Sequence, residues 1–254
     1  MAVEDVLGEP MQVFVQRDRS LRELLEQAGR FGDADYAVFH DGARRRVLTF
    51  AGHERLVASV AAAMADRGVV AGDRVAILAA NCPEWIVTFW ATVSLGAVAV
   101  ACNGWWTRDE IQHALAHTTP KLLVADAKRL ARLEGADPGM PVVVIEEDFV
   151  DLESFAPDAP LPGVAIDEDQ PALLQFTSGT TGRPKAAVLS HRSLVAFVQV
   201  VSFLGAAQAA SVGLPSTGPS HPRLAVFPMF HISGLQSASI TPMATGAGNA
   251  WPMG

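Results

Sequence analysis

The hydrophobic pattern of the first 150 residues switches repeatedly between the periods of a helix and a strand. Leu21, Leu24, Leu25 and Ala28 recur at helical spacing after Ser20, with Glu23 three residues on, a capping-box pattern that predicts a helix over 20–30. Two extended runs, YAVFH and RRVLTF, flank a turn at Asp41-Gly42. A second helix is predicted from Thr49 to about Arg67, with Leu56, Val57, Val60 and Met64 on one face and Gly68 as its stop. RVAILAA, AVAVA, KLLVAD and PVVVIEE then read as strands. PEWIVTFWATVSL and TRDEIQHALAH are the helices between them, the latter with a Thr107/Glu110 capping box. Strands spaced by helices of this length predict an α/β fold of mainly parallel sheets flanked by helices.

The segment 156–169, APDAPLPGVAIDED, is rich in Pro and Asp and reads as a connector between a first α/β subdomain (1–155) and the start of a second (170–254). Beyond it, ALLQFTS and AAVLSH read as strands either side of a Gly/Thr loop, followed by a helix from about Arg192 to Leu204. A loop over 206–222, a strand at RLAVFP, and a loop entering a helix at MFHISGLQSASITPM complete the pattern.

Residues 85–106 contain no charge, a length that could span a membrane. Pro83 and Asn81 at the start, scattered Thr88, Thr92 and Ser94, and Gly96 fit a capped buried helix and a buried strand instead, so no transmembrane span is expected. The N-terminus carries acids where a signal peptide needs basic residues and an apolar run. Two cysteines, Cys82 and Cys102, offer neither a disulfide framework nor zinc spacing, and a cytoplasmic location is expected.

The net charge of -8 argues against a nucleic-acid partner. Its distribution is uneven: every Asp and Glu lies at or before Asp169. Residues 170–254 carry only Arg183, Lys185, Arg192 and Arg223, a formal +4 that leaves -12 on residues 1–169. A back segment without a carboxylate suits an anionic ligand.

Within it, Thr177-Ser178-Gly179-Thr180-Thr181-Gly182-Arg183-Pro184-Lys185 packs four hydroxyls, two glycines and two cations between apolar strands. Glycines allow backbone N–H groups to turn toward an anion, hydroxyls donate to phosphate oxygens, and lysine supplies a mobile charge. Lys185 is one of three lysines against sixteen arginines. The Walker loop is excluded, because there G-K-[ST] runs into a helix, whereas Lys185 leads into AAVLS. His113 and His117 lie four apart, but Ala114 stands where the H-E-x-x-H glutamate would be, so no metal site is assigned. No G-x-S-x-G elbow occurs.

TSGTTGRPK followed by an apolar strand and His191-Arg192-Ser193-Leu194 resembles the signature loop of the adenylate-forming (AMP-binding) superfamily, of the acyl-CoA synthetase type. LTFAGHERLVASVAAAMADRGVVAGDRVAIL, SLGAVAVACNGWWTRDEI and FPMFHISGL are similar to further segments of that family, so the resemblance spans almost the whole chain. Gly52 departs from the family's capping-box Glu, Ala186 from the Gly after the loop lysine, and Cys102-Asn103-Gly104-Trp105-Trp106 from its L-N-P turn.

The resemblance implies ATP-dependent activation of a carboxylic acid to an acyl-adenylate and then, with CoA, a thioester. Thr177, Ser178, Gly179, Thr180, Thr181, Gly182 and Lys185 would hold the β- and γ-phosphates. His231 would stand beside the acyl pocket and the reacting carboxylate. Family members that take α-amino acids resemble F-D-x-S where this chain has Phe230-His231-Ile232-Ser233, which favours a fatty or aryl acid. The family's Mg2+ glutamate, ribose aspartate and second lysine, the last from a small C-terminal domain, have no match here, since no acid follows Asp169 and the only tyrosine is Tyr36. The chain is therefore expected to represent an N-terminal portion, inactive alone, that pairs with a complementing C-terminal half or a second copy. The alternative is a non-catalytic remnant that binds a nucleotide or a partner chain.

Overall fold

A computed structural model describes residues 1–42, 44–177, 184–213 and 223–252. A hairpin of β1 (Ala2–Val6) and β2 (Glu9–Val13) leads into α1 (Leu21–Ala28), a second hairpin of β3 (Asp35–Asp41) and β4 (Arg44–Thr49), and α2 (Phe50–Asp66). Then follow β5 (Arg74–Leu78), α3 (Pro83–Ser94), β6 (Val98–Ala101), α4 (Arg108–Thr118), β7 (Leu122–Ala125), α5 (Ala127–Leu130), β8 (Val142–Val144) and α6 (Ile145–Glu153). The last part comprises β9 (Pro171–Thr177), β10 (Lys185–Ser190), α7 (His191–Ser211), β11 (Arg223–Leu224), α8 (Ile232–Leu235), a π-helical turn (Gln236–Ile240), α9 (Thr241–Thr245) and β12 (Asn249–Pro252).

Six strands form the central sheet in the order β10-β9-β6-β5-β7-β8, parallel throughout except for the β9–β10 pair. A second sheet has the order β11-β12-β3-β4. The central strands are apolar on both sides, and their alternation sorts the side chains onto two faces. Val75, Ile77, Ala99, Val124 and Leu173 join the larger core with α1, α2, α3 and α7. Ala76, Leu78, Val100, Leu123 and Phe176 face the opposite way, onto Ile111, Ala114 and Leu115 of α4. The uncharged stretch at 85–106 is the buried helix and strand expected of it, with Trp85, Phe89 and Trp90 fully enclosed.

The caps behave as the residue types dictate. The Ser20 side chain accepts from the Glu23 N–H, Thr49 from that of Gly52 at 3.0 Å, and Glu110 reaches back to the Thr107 N–H at 2.8 Å.

Several elements differ from the sequence reading. PVVVIEE is a strand only to Val144: Glu146, Glu147 and Asp148 fill the first turn of α6, where the helix dipole favours acids, and Asp148 accepts from the Val144 N–H at 2.8 Å. RLAVFP is a strand only at Arg223–Leu224: the Ala225 N–H still donates to the Ala250 carbonyl at 2.8 Å, and beyond it Asn81 bonds the backbone of Phe227 and Met229 instead. α7 continues past Leu204 to Ser211 through alanine-rich sequence with good helix propensity. The β1–β2 hairpin carries no apolar alternation, and its residues are mostly exposed. Just beyond the 156–169 connector, β9 pairs in parallel with β6.

An ion cluster ties the N-terminal segment to the connector before β9 and to α7. Arg17, with a side chain only 3% exposed, bonds Glu4 at 2.6 Å and Glu168 at 2.8 Å, while Arg192 bonds Glu168 at 2.8 Å and both oxygens of Asp169. Hydrogen bonds from Arg17 hold the Glu4 carboxyl below the usual range, and those from Arg192 do the same for Asp169.

Among the described residues, α7 is the one helix long and apolar enough to cross a membrane by length and composition. Its first half is docked through Leu194, Val195 and Val198, but Phe203 is 63% and Leu204 59% exposed. Apolar surface of this kind drives association. The protein should self-associate with rising concentration, and Phe203→Ser with Leu204→Ser should suppress this at an unchanged melting temperature. Light scattering checks it; a clean wild-type monomer at high concentration would contradict it.

Candidate functional site

The C-terminal ends of β5, β6 and β9 lie side by side, because Ala101 pairs with both Ile77 and Gln175. The loops leaving those ends therefore converge on one edge, where open parallel sheets place ligands. β9 delivers Thr177 to this edge, and β10 starts at its Cα partner Lys185. The Thr177 hydroxyl approaches the Lys185 carbonyl at 3.4 Å. The two strands predicted on either side of the loop are thus present, and Thr177 and Lys185 are exposed at their facing ends. Ser178, Gly179, Thr180, Thr181 and Gly182 lie outside the described residues. Lys185 makes no salt bridge with a described residue, in contrast to Arg192.

The segment before His231 is pinned across the same edge by two residues that motif reading did not single out for a role. Asn81, leaving β5, donates to the Phe227 carbonyl at 3.1 Å and accepts from the Met229 N–H at 2.8 Å. Gln175, two positions before Thr177, donates to the Phe230 carbonyl at 2.8 Å and is 6% exposed. The only sequence signal for Gln175 is a polar residue inside an apolar strand, which must find a partner when buried. His231 is thereby tied to the strand that carries the loop.

Gly234 completes this geometry. A Cβ there would lie 2.2 Å from the Pro228 carbonyl oxygen, so the start of α8 packs against Pro228 backbone in a way only glycine permits. His231 is the N-cap: its Nδ1 accepts from the Ser233 N–H at 3.3 Å and lies 2.8 Å from the Ser233 hydroxyl. A ring nitrogen that accepts the Ser233 N–H leaves the proton of a neutral imidazole on Nε2, which has no hydrogen-bond partner among the described residues. An apolar cavity of about 550 Å³ opens beside it, lined by Leu189, Leu194, Phe197, Phe227, Ile232 and Gln236. Trp105, 68% exposed, meets Phe230 edge-on at 5.1 Å.

Other reactive groups lie away from this edge or are disabled. Burial pushes the Cys102 thiol up to about 12 and Cys82 well above its ordinary value, so neither is a nucleophile. No group of three or more His, Cys, Asp or Glu that could hold a metal occurs among the described residues.

The family model for AMP-binding enzymes matches residues 24–253. The chain is 34% identical over 225 residues to 4-coumarate–CoA ligase 2 of Oryza sativa subsp. japonica, covering 80% of this chain and 38% of that protein. It is 31% identical over 206 residues to the acyl-CoA ligase sidI of Aspergillus fumigatus, covering 70% and 34%. The chain thus spans well under half the length of these curated relatives. Among solved structures it is similar to a putative long-chain-fatty-acid CoA ligase from Rhodopseudomonas palustris, with a TM-score of 0.77 at 22% identity over 94% of this chain and 58% of that one. It is also similar to the N-terminal domain of FACL13 from Mycobacterium tuberculosis, with a TM-score of 0.73 at 23% identity over 92% and 57%. At these identities the structural likeness concerns the fold. The Thr177–Lys185 pair at the sheet edge, the histidine segment tied to the same strand and a family match across nearly the whole chain converge: this protein belongs to the family of AMP-binding enzymes, and the curated relatives it matches here are CoA ligases.

Proposed function

We propose that this chain is the phosphate- and acid-binding N-terminal portion of an ATP-dependent ligase that joins a fatty or aryl carboxylic acid to CoA through an acyl-adenylate. The observation that carries this reading is the tether from Gln175 to Phe230. It fixes His231 against the strand leading to Thr177 and Lys185, so that an acid-binding group and a phosphate-binding loop share one edge.

In this reading Lys185 and the loop from Thr177 hold the β- and γ-phosphates and stabilise charge on the departing pyrophosphate. The Nε2–H of His231 donates to a carboxylate oxygen as the acid is brought toward the α-phosphate, and the acyl chain fills the apolar cavity. The absence of any acid after Asp169 leaves an α-ammonium without a partner on this side of the site, which supports an acid lacking an amine.

The residues present do not fit the divalent cation that such chemistry uses, since a hard cation needs oxygen ligands and no carboxylate follows Asp169. Free, buried Cys82 and Cys102 support a reducing compartment such as the cytoplasm. Residues 1–254 should accordingly bind pyrophosphate but show no carboxylate-dependent ATP–pyrophosphate exchange. Measurable exchange by the purified chain would overturn the division of labour proposed here.

A further inference from the structure

The two histidines of α4 have no part in the chemistry described so far. Nε2 of His113 stands 3.2 Å from the carbonyl oxygen of Pro184, one residue before the first paired position of β10 at Lys185. A carbonyl oxygen can only accept, so this contact requires the proton on Nε2.

The helix that presents His113 is firmly held. Its N-terminus is closed by the Thr107–Glu110 capping box, and Ile111, Ala114 and Leu115 are buried against the sheet. Just before it, the Trp106 ring packs edge-on against Phe176 at 4.9 Å and 84°. The unit 106–118 therefore braces both strands of the hairpin, at Phe176 beside Thr177 and at Pro184 beside Lys185. His117 stacks on His113 with ring centroids 5.8 Å apart and 16° between planes, and makes no hydrogen bond with a described residue.

We propose that His113 is a positioning residue for Lys185: its Nε2–H holds the Pro184 carbonyl and so fixes the backbone from which the lysine reaches a polyphosphate. This rests on the reading of Lys185 as a phosphate ligand, and the test separates the two. In a long-range 1H–15N spectrum of the wild-type chain at pH 8, His113 should be the Nε2–H tautomer; an Nδ1–H tautomer overturns the proposal without any variant.

Calorimetric titration with pyrophosphate then gives the consequence. His113→Phe, which keeps a ring but removes the donor, should weaken binding about 5–10-fold, the range of one net hydrogen bond. His113→Gln, whose amide can donate at similar reach, should stay within about threefold of wild type, and His117→Phe within about twofold. If Lys185→Ala weakens binding while His113→Phe does not, or if His113→Gln is as weak as His113→Phe, the positioning role is overturned and the phosphate site stands. If Lys185→Ala binds like wild type, both fall.

Discussion

Stability should fall steeply as pH drops from about 6.5 toward 4, and His53→Phe should make that loss shallower. His53 on α2 is fully buried among aromatic rings, 4.7 Å from the Tyr36 ring centroid and 6.4 Å from that of Trp90, with neither ring nitrogen hydrogen-bonded to a described residue. Burial lowers its pKa to about 3. His191, at the start of α7, accepts from the Leu21 N–H at 3.1 Å, and burial followed by repulsion from Arg22 lowers it to about 4.

A base whose folded pKa lies below its unfolded value near 6.5 is neutral in the fold, so the unfolded chain binds the extra proton in between. The contribution is fully present above about 6.5 and is lost as pH falls toward the folded pKa. At about 1.4 kcal/mol per unit the loss is of order 3 kcal/mol for His191 and somewhat more for His53. The lowered carboxyls of Glu4 and Asp169 act in the same direction at lower pH, as protonation breaks their bonds to arginine. Urea melts between pH 7.5 and 5 measure this; equal stability across that window would contradict the buried, neutral state of both rings.

Gly234→Ala should cost about 3 kcal/mol or more, a melting temperature lower by roughly 6–12 °C, and should weaken ligand binding at the sheet edge. The added methyl would meet backbone on every near side: the Pro228 oxygen at 2.2 Å, its carbon at 2.8 Å and the Phe227 oxygen at 3.0 Å. No side chain can rotate away to relieve this. Relief requires moving the 227–231 segment, which strains the bonds from Asn81 and Gln175 and displaces His231. Gly205→Ala in α7, where nothing lies within 4 Å, is the matched control and should be neutral or slightly stabilising. Indistinguishable melts for Gly234→Ala and wild type would show that this close approach is not what holds the site.

What the sequence made legible was local. Caps at Ser20, Thr49 and Thr107 and the strand–helix alternation from Arg74 to Ala125 predict elements that the fold contains, because each depends on residues within a few positions. The segment proposed to bind phosphate was legible as composition between two strands, and its flanking residues Thr177 and Lys185 are cross-strand partners. The less legible features depend on distant partners. Nothing near Pro171 signals that β9 joins β6 rather than founding a sheet of its own. Gln175 and Asn81 acquire their roles from a segment more than 50 residues away. The run after Arg192 predicts a helix, but nothing in it marks that most of its second half faces outward, since burial depends on what is packed around it.

If the Thr177–Lys185 hairpin is a phosphate site, pyrophosphate titration by calorimetry at two salt concentrations shows it most directly. Loss of one charge-assisted hydrogen bond costs about 1.5–3 kcal/mol, so Lys185→Ala should weaken binding roughly tenfold or more at low salt. Arg192→Ala should change the affinity by less than about twofold, because that guanidinium is committed to Glu168 and Asp169. Rising ionic strength should erode the wild-type affinity, since Lys185 is exposed. Equal affinity in wild type and Lys185→Ala, or a larger loss at Arg192, would contradict the account.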